Sequence, residues 1–371
     1  MARNIDARAR PVNQRRGRAA PDAKSRLQNS TDRSDPNAIV RGMRVLFIGG
    51  TGIISSGSAK RLAREPNVEL TFLRRGRTDR AVPEGVRLLD ADVRDGAAVA
   101  SALGNERFDV VVNFIAFTTA HVQADIDLFH GRTAQYVFIS SASAYQTPPA
   151  SLPLTESTPL SNPCWQYSRD KIACEELLTR AYRERGFPVT IVRPSHTYDC
   201  RSLPVHGGYT VIERMRRGKP VIVHGDGSSL WVLTHHDDFA KGFNGLLGNP
   251  HAIGDTFHIT SDELLTWNQI HEILARAAGA EAKLVHVPST TIAKYDKEWG
   301  DSLLGDKTHS VIFDNTKIKR TVPGFSATIP YAEGARETLS WYDADASRRN
   351  VDAKADALMD TLALAQTRAA G

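Results

Sequence analysis

From Met43 onward the chain alternates between short, nearly unbroken apolar runs and segments whose apolar residues recur at helical spacing. The runs fall at 44–48 (RVLFI), 68–73 (VELTFL), 86–89 (VRLL), 108–114 (FDVVVNF), 134–139 (AQYVFI) and 188–192 (PVTIV). Such runs suit parallel strands covered by helices on both faces, because neither face then meets water. Helical spacing occupies 53–65, 96–104, 120–131 and 167–185 between them. Strand and helix in turn make βαβ units, so the pattern predicts an α/β fold, a doubly wound parallel Rossmann sheet over residues 43–195.

Beyond about residue 195 the alternation weakens and Gly and Pro become frequent. Over 196–345 we expect a smaller α+β domain, mainly substrate-binding, with some segments returning to the Rossmann sheet. Its best-marked helix opens in TWNQIHEILARAAG, where Thr266 and Gln269 have the spacing of a capping box and Gly279 marks the stop. Residues 346–371 read as a C-terminal helix and tail with Leu358, Met359 and Leu362 on one side.

The length of 371 residues exceeds what one core usually serves, which agrees with two domains. No stretch approaches the roughly 20 apolar residues of a membrane span, and the N-terminus shows no secretory signal, so a cytoplasmic protein is expected. Cys164, Cys174 and Cys200 are odd in number and lack paired close spacing, which predicts reduced thiols. The net charge of +5 hints at nucleic acid until it is divided along the chain. Residues 1–42 hold 10 of the 47 Lys and Arg and 4 of the 42 Asp and Glu, a net of +6, leaving the remainder at −1. That leading segment is Arg-rich and poor in large apolar residues, so a disordered basic extension is expected. The globular part is neutral, which makes nucleic acid an unfavoured partner.

Directly after the first run comes Gly49-Gly50-Thr51-Gly52-Ile53-Ile54-Ser55, where a strand must turn sharply into a helix. Glycines there let the backbone approach a pyrophosphate, and the helix N-terminus supplies free N–H groups for it. Gly49, Thr51, Gly52, Ile53 and Ile54 are therefore candidate cofactor contacts. The second run continues into Leu73-Arg74-Arg75-Gly76 without the acid that would accept a ribose 2′-hydroxyl. Guanidinium groups suit a 2′-phosphate, so Arg74 and Arg75 favour NADP slightly over NAD. Asp92 and Val93, after the third run, would line the adenine.

Tyr167 and Lys171 stand four apart at the start of a long helix, so phenol and ammonium share a face. A nearby cation stabilises the phenolate and brings proton exchange with a substrate hydroxyl within reach. The fifth run ends in FISSASAY, placing Ser141 at the carboxyl edge of the sheet, where it would bond the reacting oxygen. Four potential ligands in a row, His235 to Asp238, cannot all converge on one ion, so no metal is expected.

With the ordered set GGTGIIS, DVRD, VVNFIA, FISSASAY, YSRDK, IVRPSHTY and GDGSSLWVLTHHDD, the sequence resembles the extended short-chain dehydrogenase/reductase family, NAD-dependent epimerase/dehydratase group. The resemblance covers about residues 43 to 345. It implies an enzyme exchanging hydride between NAD(P) and a secondary alcohol or ketone of a sugar-like polyol, free or nucleotide-linked. Tyr167 would be the general acid/base, Lys171 would hold the nicotinamide ribose, and Ser141 would steady the substrate oxygen. Ala116, Pro194 and His196 would lie near the nicotinamide, and Phe117, Ser143, His196 and Trp231 near the substrate. A homodimer is a further expectation.

Departures from the pattern are Ser55 at the third glycine, predicting slightly looser helix packing, and Ala142 and Ser143 where dehydratases carry an acidic pair. Asp199 replaces a common Gly, and Ser229 to Leu233 lacks the Arg that many members use for a diphosphate. The rival reading is an RNA-associated or dinucleotide-sensing protein without turnover, since the resemblance extends to chloroplast stem-loop binding proteins.

Overall fold

Seven parallel strands form the central sheet of the computed structural model, which describes residues 42–76 and 79–370. The expectation for residues 1–42 therefore lies, apart from Gly42, outside the described residues. The strands are β1 (Met43–Ile48), β2 (Val68–Arg74), β3 (Arg87–Asp90), β4 (Phe108–Asn113), β5 (Thr133–Ile139), β6 (Val189–Pro194) and β7 (Thr256–Ile259). Their order is β3-β2-β1-β4-β5-β6-β7, so the chain reverses its winding direction between β1 and β4. A ligand crevice opens at the carboxyl ends of the strands at such a reversal. The six runs read from the sequence are β1 to β6. β7 comes from the later, less regular part of the chain and pairs with β6 from Thr256–Ile191 to Ile259–Pro194.

Alternate residues of each strand serve opposite faces, as the pleat requires. Val45, Phe47, Phe72, Val112 and Val137 share a core with Ala59 and Leu62 of α1 (Ile53–Leu62). Leu46, Ile48, Val111, Tyr136 and Phe138 pack with Val99 of α2 (Gly96–Leu103), Ile126 of α3 (Thr119–Phe129) and Leu178 of α4 (Gln166–Arg185). Both faces are therefore dry, which is why the strand sequences show no polar alternation.

A further core joins Ile212 and Met215 of α5 (Tyr209–Arg216) to Leu274 of the helix Trp267–Ala277 and to Met359 and Leu362 of the last helix. There the strand Val221–His224 pairs in parallel with Leu284–Val287. The capping box forms as read: the Gln269 N–H donates to Thr266 Oγ1 at 3.2 Å and the Thr266 N–H to Gln269 Oε1 at 2.8 Å. The last helix, Ala353–Ala370, is tied down by the buried Arg214, whose guanidinium reaches Asp356 and Asp360.

Helix α6 (His236–Asn244) covers the sheet beside α1, with Phe239 and Phe243 in the same core as Ala59. The helices approach most closely at Gly57, where a Cβ would stand 2.6 Å from the His236 carbonyl oxygen. Glycine is needed there for space, not for an unusual backbone angle. Gly57→Ala is expected to lower stability by about 1–3 kcal/mol in urea unfolding, the range for overpacking, whereas Gly96→Ala, with open space around it, should not.

Candidate active site

The turn after β1 is built for close approach. Gly49 takes φ +82°, a conformation L side chains rarely adopt, and a Cβ on Gly50 would stand 2.6 Å from the Phe72 ring. Gly52 then caps α1, so the free N–H groups of its first turn face the crevice between β1 and β4. Ser55 ties this loop rather than loosening it. It is fully buried, its hydroxyl donates to the Gly49 carbonyl at 2.9 Å, and it accepts from the Gly52 N–H at 2.8 Å.

A cleft of about 140 Å³ follows, lined by Gly49, Thr51, Leu73, Arg74, Arg75 and Val93 among others. Arg74 pairs with Asp90 at 3.2 Å and Arg75 with Asp92 at 3.7 Å. Asp92, expected against the adenine, thus engages Arg75 and accepts from the Arg94 N–H at 3.0 Å. A glycine-rich loop, an open helix N-terminus and this mainly apolar cleft fit a dinucleotide.

Helix α4 carries the candidate reacting groups, Tyr167 and Lys171, at its N-terminal end. Its buried residues Ser168, Lys171, Cys174, Glu175 and Leu178 recur at three and four, so the packing face also fixes Lys171. The Lys171 ammonium donates to the carbonyls of Ala116 at 2.7 Å and Ile139 at 2.8 Å. It lies 4.8 Å from the ring centroids of both Phe117 and Phe138 and 5.8 Å from that of Tyr167. Burial pulls its pKa down to about 8. Burial likewise raises the Tyr167 phenol, against which the Ser141 hydroxyl acts to lower it.

Ser141 is the end of a hydroxyl chain. The buried Ser168 hydroxyl donates to Ser143 Oγ at 2.7 Å, and Ser143 Oγ lies 2.8 Å from Ser141 Oγ. The Ser143 N–H also donates to Ser141 Oγ, at 3.2 Å. With Ser143 accepting from Ser168, a Ser143 proton turned toward Ser141 would leave the Ser141 proton for an oxygen in the cavity.

That cavity, about 280 Å³, is lined by Ser141, Ser143, Tyr167, Pro194, His196 and Trp231, with Ile54 reaching in from α1. Phe117 lies on the Lys171 side and is not part of this lining. His196 Nδ1 accepts from the Trp231 indole N–H at 3.2 Å, which leaves the ring proton on Nε2. Burial, aided by Lys307, holds its pKa down at about 3.

Trp165, Asp306 and Lys307 also line the cavity, and sequence reasoning missed them. Asp306 and Lys307 lie on a single π turn, Leu303–Lys307, far from Tyr167 along the chain and in no motif. The turn is docked by Asn162, whose amide donates to the Gly305 carbonyl at 2.6 Å and to that of Ser143 at 2.9 Å.

The neighbouring acids and histidines have structural partners. Asp199 is buried against Arg80. Asp238 accepts from Lys241 at 2.5 Å and from the Ile329 N–H at 2.8 Å. Ligand atoms of His235, His236 and Asp237 do lie within 4.8 Å of one another, but His235 meets Glu337 and the Asp237 N–H, and His236 meets Ser56.

The family model of the NAD dependent epimerase/dehydratase family matches residues 45–260, more than half of the chain. The chain belongs to this family. It is similar to the 2′-dehydrokanamycin reductase of Streptomyces kanamyceticus, 26% identical over 76% of this chain and 80% of that protein. It is also similar to the chloroplast stem-loop binding protein of 41 kDa b of Arabidopsis thaliana, 26% identical over 66% of this chain and 65% of that one. Among solved structures, the UDP-glucose 4-epimerase of Bifidobacterium longum in complex with NAD+ and UDP superposes with a TM-score of 0.67. It is 18% identical, over 82% of this chain and all of that one, and shows the shared fold.

Without Ser168 the Ser143 hydroxyl loses its donor, and Ser141 is free to turn its proton away from the cavity. Ser168→Ala should lower kcat about tenfold, the equivalent of one hydrogen bond, with cofactor affinity unchanged by titration calorimetry.

Proposed function

We propose that Tyr167 is the general acid/base of an NAD(P)-dependent oxidoreductase or epimerase acting on a secondary alcohol or ketone of a sugar-like substrate. The observation that carries this reading is that Ser141 and Tyr167 line one cavity while the Lys171 ammonium, held at the end of β5, lies 5.8 Å from the Tyr167 ring. A bound nicotinamide supplies the hydride acceptor or donor. Ser141 holds the substrate oxygen, Tyr167 takes its proton or returns one, and the Lys171 ammonium stabilises the phenolate. Lys171 also bonds the cofactor ribose in this reading, through the third N–H of its ammonium, the other two being held by the Ala116 and Ile139 carbonyls.

A role as an RNA-associated protein or silent dinucleotide sensor would require neither the hydroxyl chain nor the buried ammonium, and nothing favours it. No described helix is long and apolar enough to cross a membrane, and the three cysteines are free, which fits a cytoplasmic enzyme.

Arg74 and Arg75 line the dinucleotide cleft and no acid ends β2, which supports NADP over NAD. A 2′-phosphate would have to compete with Asp90 and Asp92 for the two guanidiniums. Arg74→Ala and Arg75→Ala should each weaken NADP by about 1–3 kcal/mol and NAD by less; tighter NAD binding by the unaltered protein would overturn the preference.

Tyr167→Phe keeps the ring and removes the hydroxyl. Turnover should fall roughly 100- to 10,000-fold with cofactor affinity nearly intact, whereas Lys171→Met should damage both. Full activity in Tyr167→Phe would move the chemistry elsewhere.

A further inference from the structure

The cavity at Tyr167 shares His196 and Lys307 with a second chamber of about 170 Å³, to which His206, His224, His271 and the rings of Trp267 and Trp299 belong. Four histidines would make a cationic pocket if they were protonated, but desolvation favours the neutral ring in each, against the carbonyl bonds of two of them. His196 Nδ1 accepts a proton from Trp231, and His224 and His271 bond the carbonyls of Lys307 at 2.9 Å and Trp267 at 2.8 Å. Burial lowers the pKa of all four, to about 3 for His196 and about 4 for His224. The one lysine or arginine in either lining is Lys307, and its ammonium lies 3.3 Å from the Asp306 carboxylate, which lines the same cavity. The two linings together therefore bring no net positive charge.

A nucleoside diphosphate placed here would lose water around two negative charges and find its only ammonium already paired, a cost that neutral donors do not offset. What the walls do offer is flat aromatic surface with neutral bonding groups. The His206 and Trp299 rings stack at 4.0 Å and 4°, Trp231 lies 5.4 Å from Trp267, and Trp165 lies 4.9 Å from Tyr167. Such surfaces match the apolar face of a pyranose or cyclitol ring, and imidazole and indole groups match its hydroxyls.

We propose that this enzyme's substrate is an uncharged glycoside without a nucleotide, its reacting ring at Tyr167 and its second ring in the His206–Trp299 chamber. The proposal rests on the reading of Tyr167 as the acid/base. The His206–Trp299 pair is then a specificity determinant, touching the ring that does not react.

Titration calorimetry on the full chain with NAD+ present tests it, using UDP, UDP-glucose and a library of uncharged disaccharides and cyclitol glycosides as probes. An uncharged probe should bind with a Kd below about 1 mM and the two nucleotides not at all up to several mM. His206→Ala should weaken the uncharged probe about tenfold without altering NAD+ binding. Binding of UDP or UDP-glucose below about 100 μM, no binding by the uncharged library, or an unchanged Kd in His206→Ala would each overturn the proposal. The two readings fail separately. Turnover of UDP-glucose that Tyr167→Phe abolishes would keep the acid/base and discard the uncharged glycoside. An uncharged glycoside that binds in a His206-dependent way, but is turned over equally well by Tyr167→Phe, would do the reverse.

Discussion

The Lys171 ammonium sits between two backbone carbonyls, Ala116 just after β4 and Ile139 at the end of β5, and the arrangement of the site follows from that position. Strand ends leave carbonyls pointing beyond the sheet, and a buried cation there satisfies two of them at once. The same two bonds hold α4 in rotation about its axis. Tyr167, one turn earlier, is thereby directed into the cavity, while Ser168 is carried inward to the serine hydroxyls. A substitution at Lys171 would strand two acceptors as well as remove a charge.

A second buried tie reinforces the first. Glu175, one turn beyond Lys171, forms a two-pronged pair with Arg193 of β6, at 2.9 Å and 2.6 Å, and also accepts from the Ser140 hydroxyl. Both charged groups are nearly inaccessible, at 4% and 6% side-chain exposure, so neither has water to fall back on. Breaking such a pair from one side is costly, although replacing both partners need not be. The helix is therefore registered against β5 and β6 by polar contacts, while its Cys174, Leu178 and Ala181 supply the apolar packing.

Electrostatics divides the ligand region into two unlike parts. The cleft beside the glycine turn presents a helix N-terminus, a setting that favours anions, and two arginines paired with Asp90 and Asp92. The cavity beyond Tyr167 presents aromatic rings, neutral histidines and an internally balanced Asp306–Lys307 pair. Under the proposed reading, an anionic cofactor and an uncharged substrate would be sorted by charge before any specific contact is made.

The fold was largely legible in the chain because its cues are local. Apolar runs separated by helical spacing specify strands with two covered faces, and β1 to β6 lie where the runs place them. The glycine turn and the Tyr167–Lys171 spacing were readable for the same reason, as each is contained in a few consecutive residues. What could not be read depends on distant segments meeting. β7 has no mark distinguishing it from a strand of the smaller layer, and it joins the sheet because β6 offers a free edge. The inward turn of Ser55, the two carbonyls around Lys171 and the arrival of Asp306 and Lys307 over the cavity all arise from contacts between residues far apart in sequence. Periodicity fixes which face of an element is buried; only three-dimensional packing decides which polar groups from other elements meet there, and with them the charge of the substrate cavity.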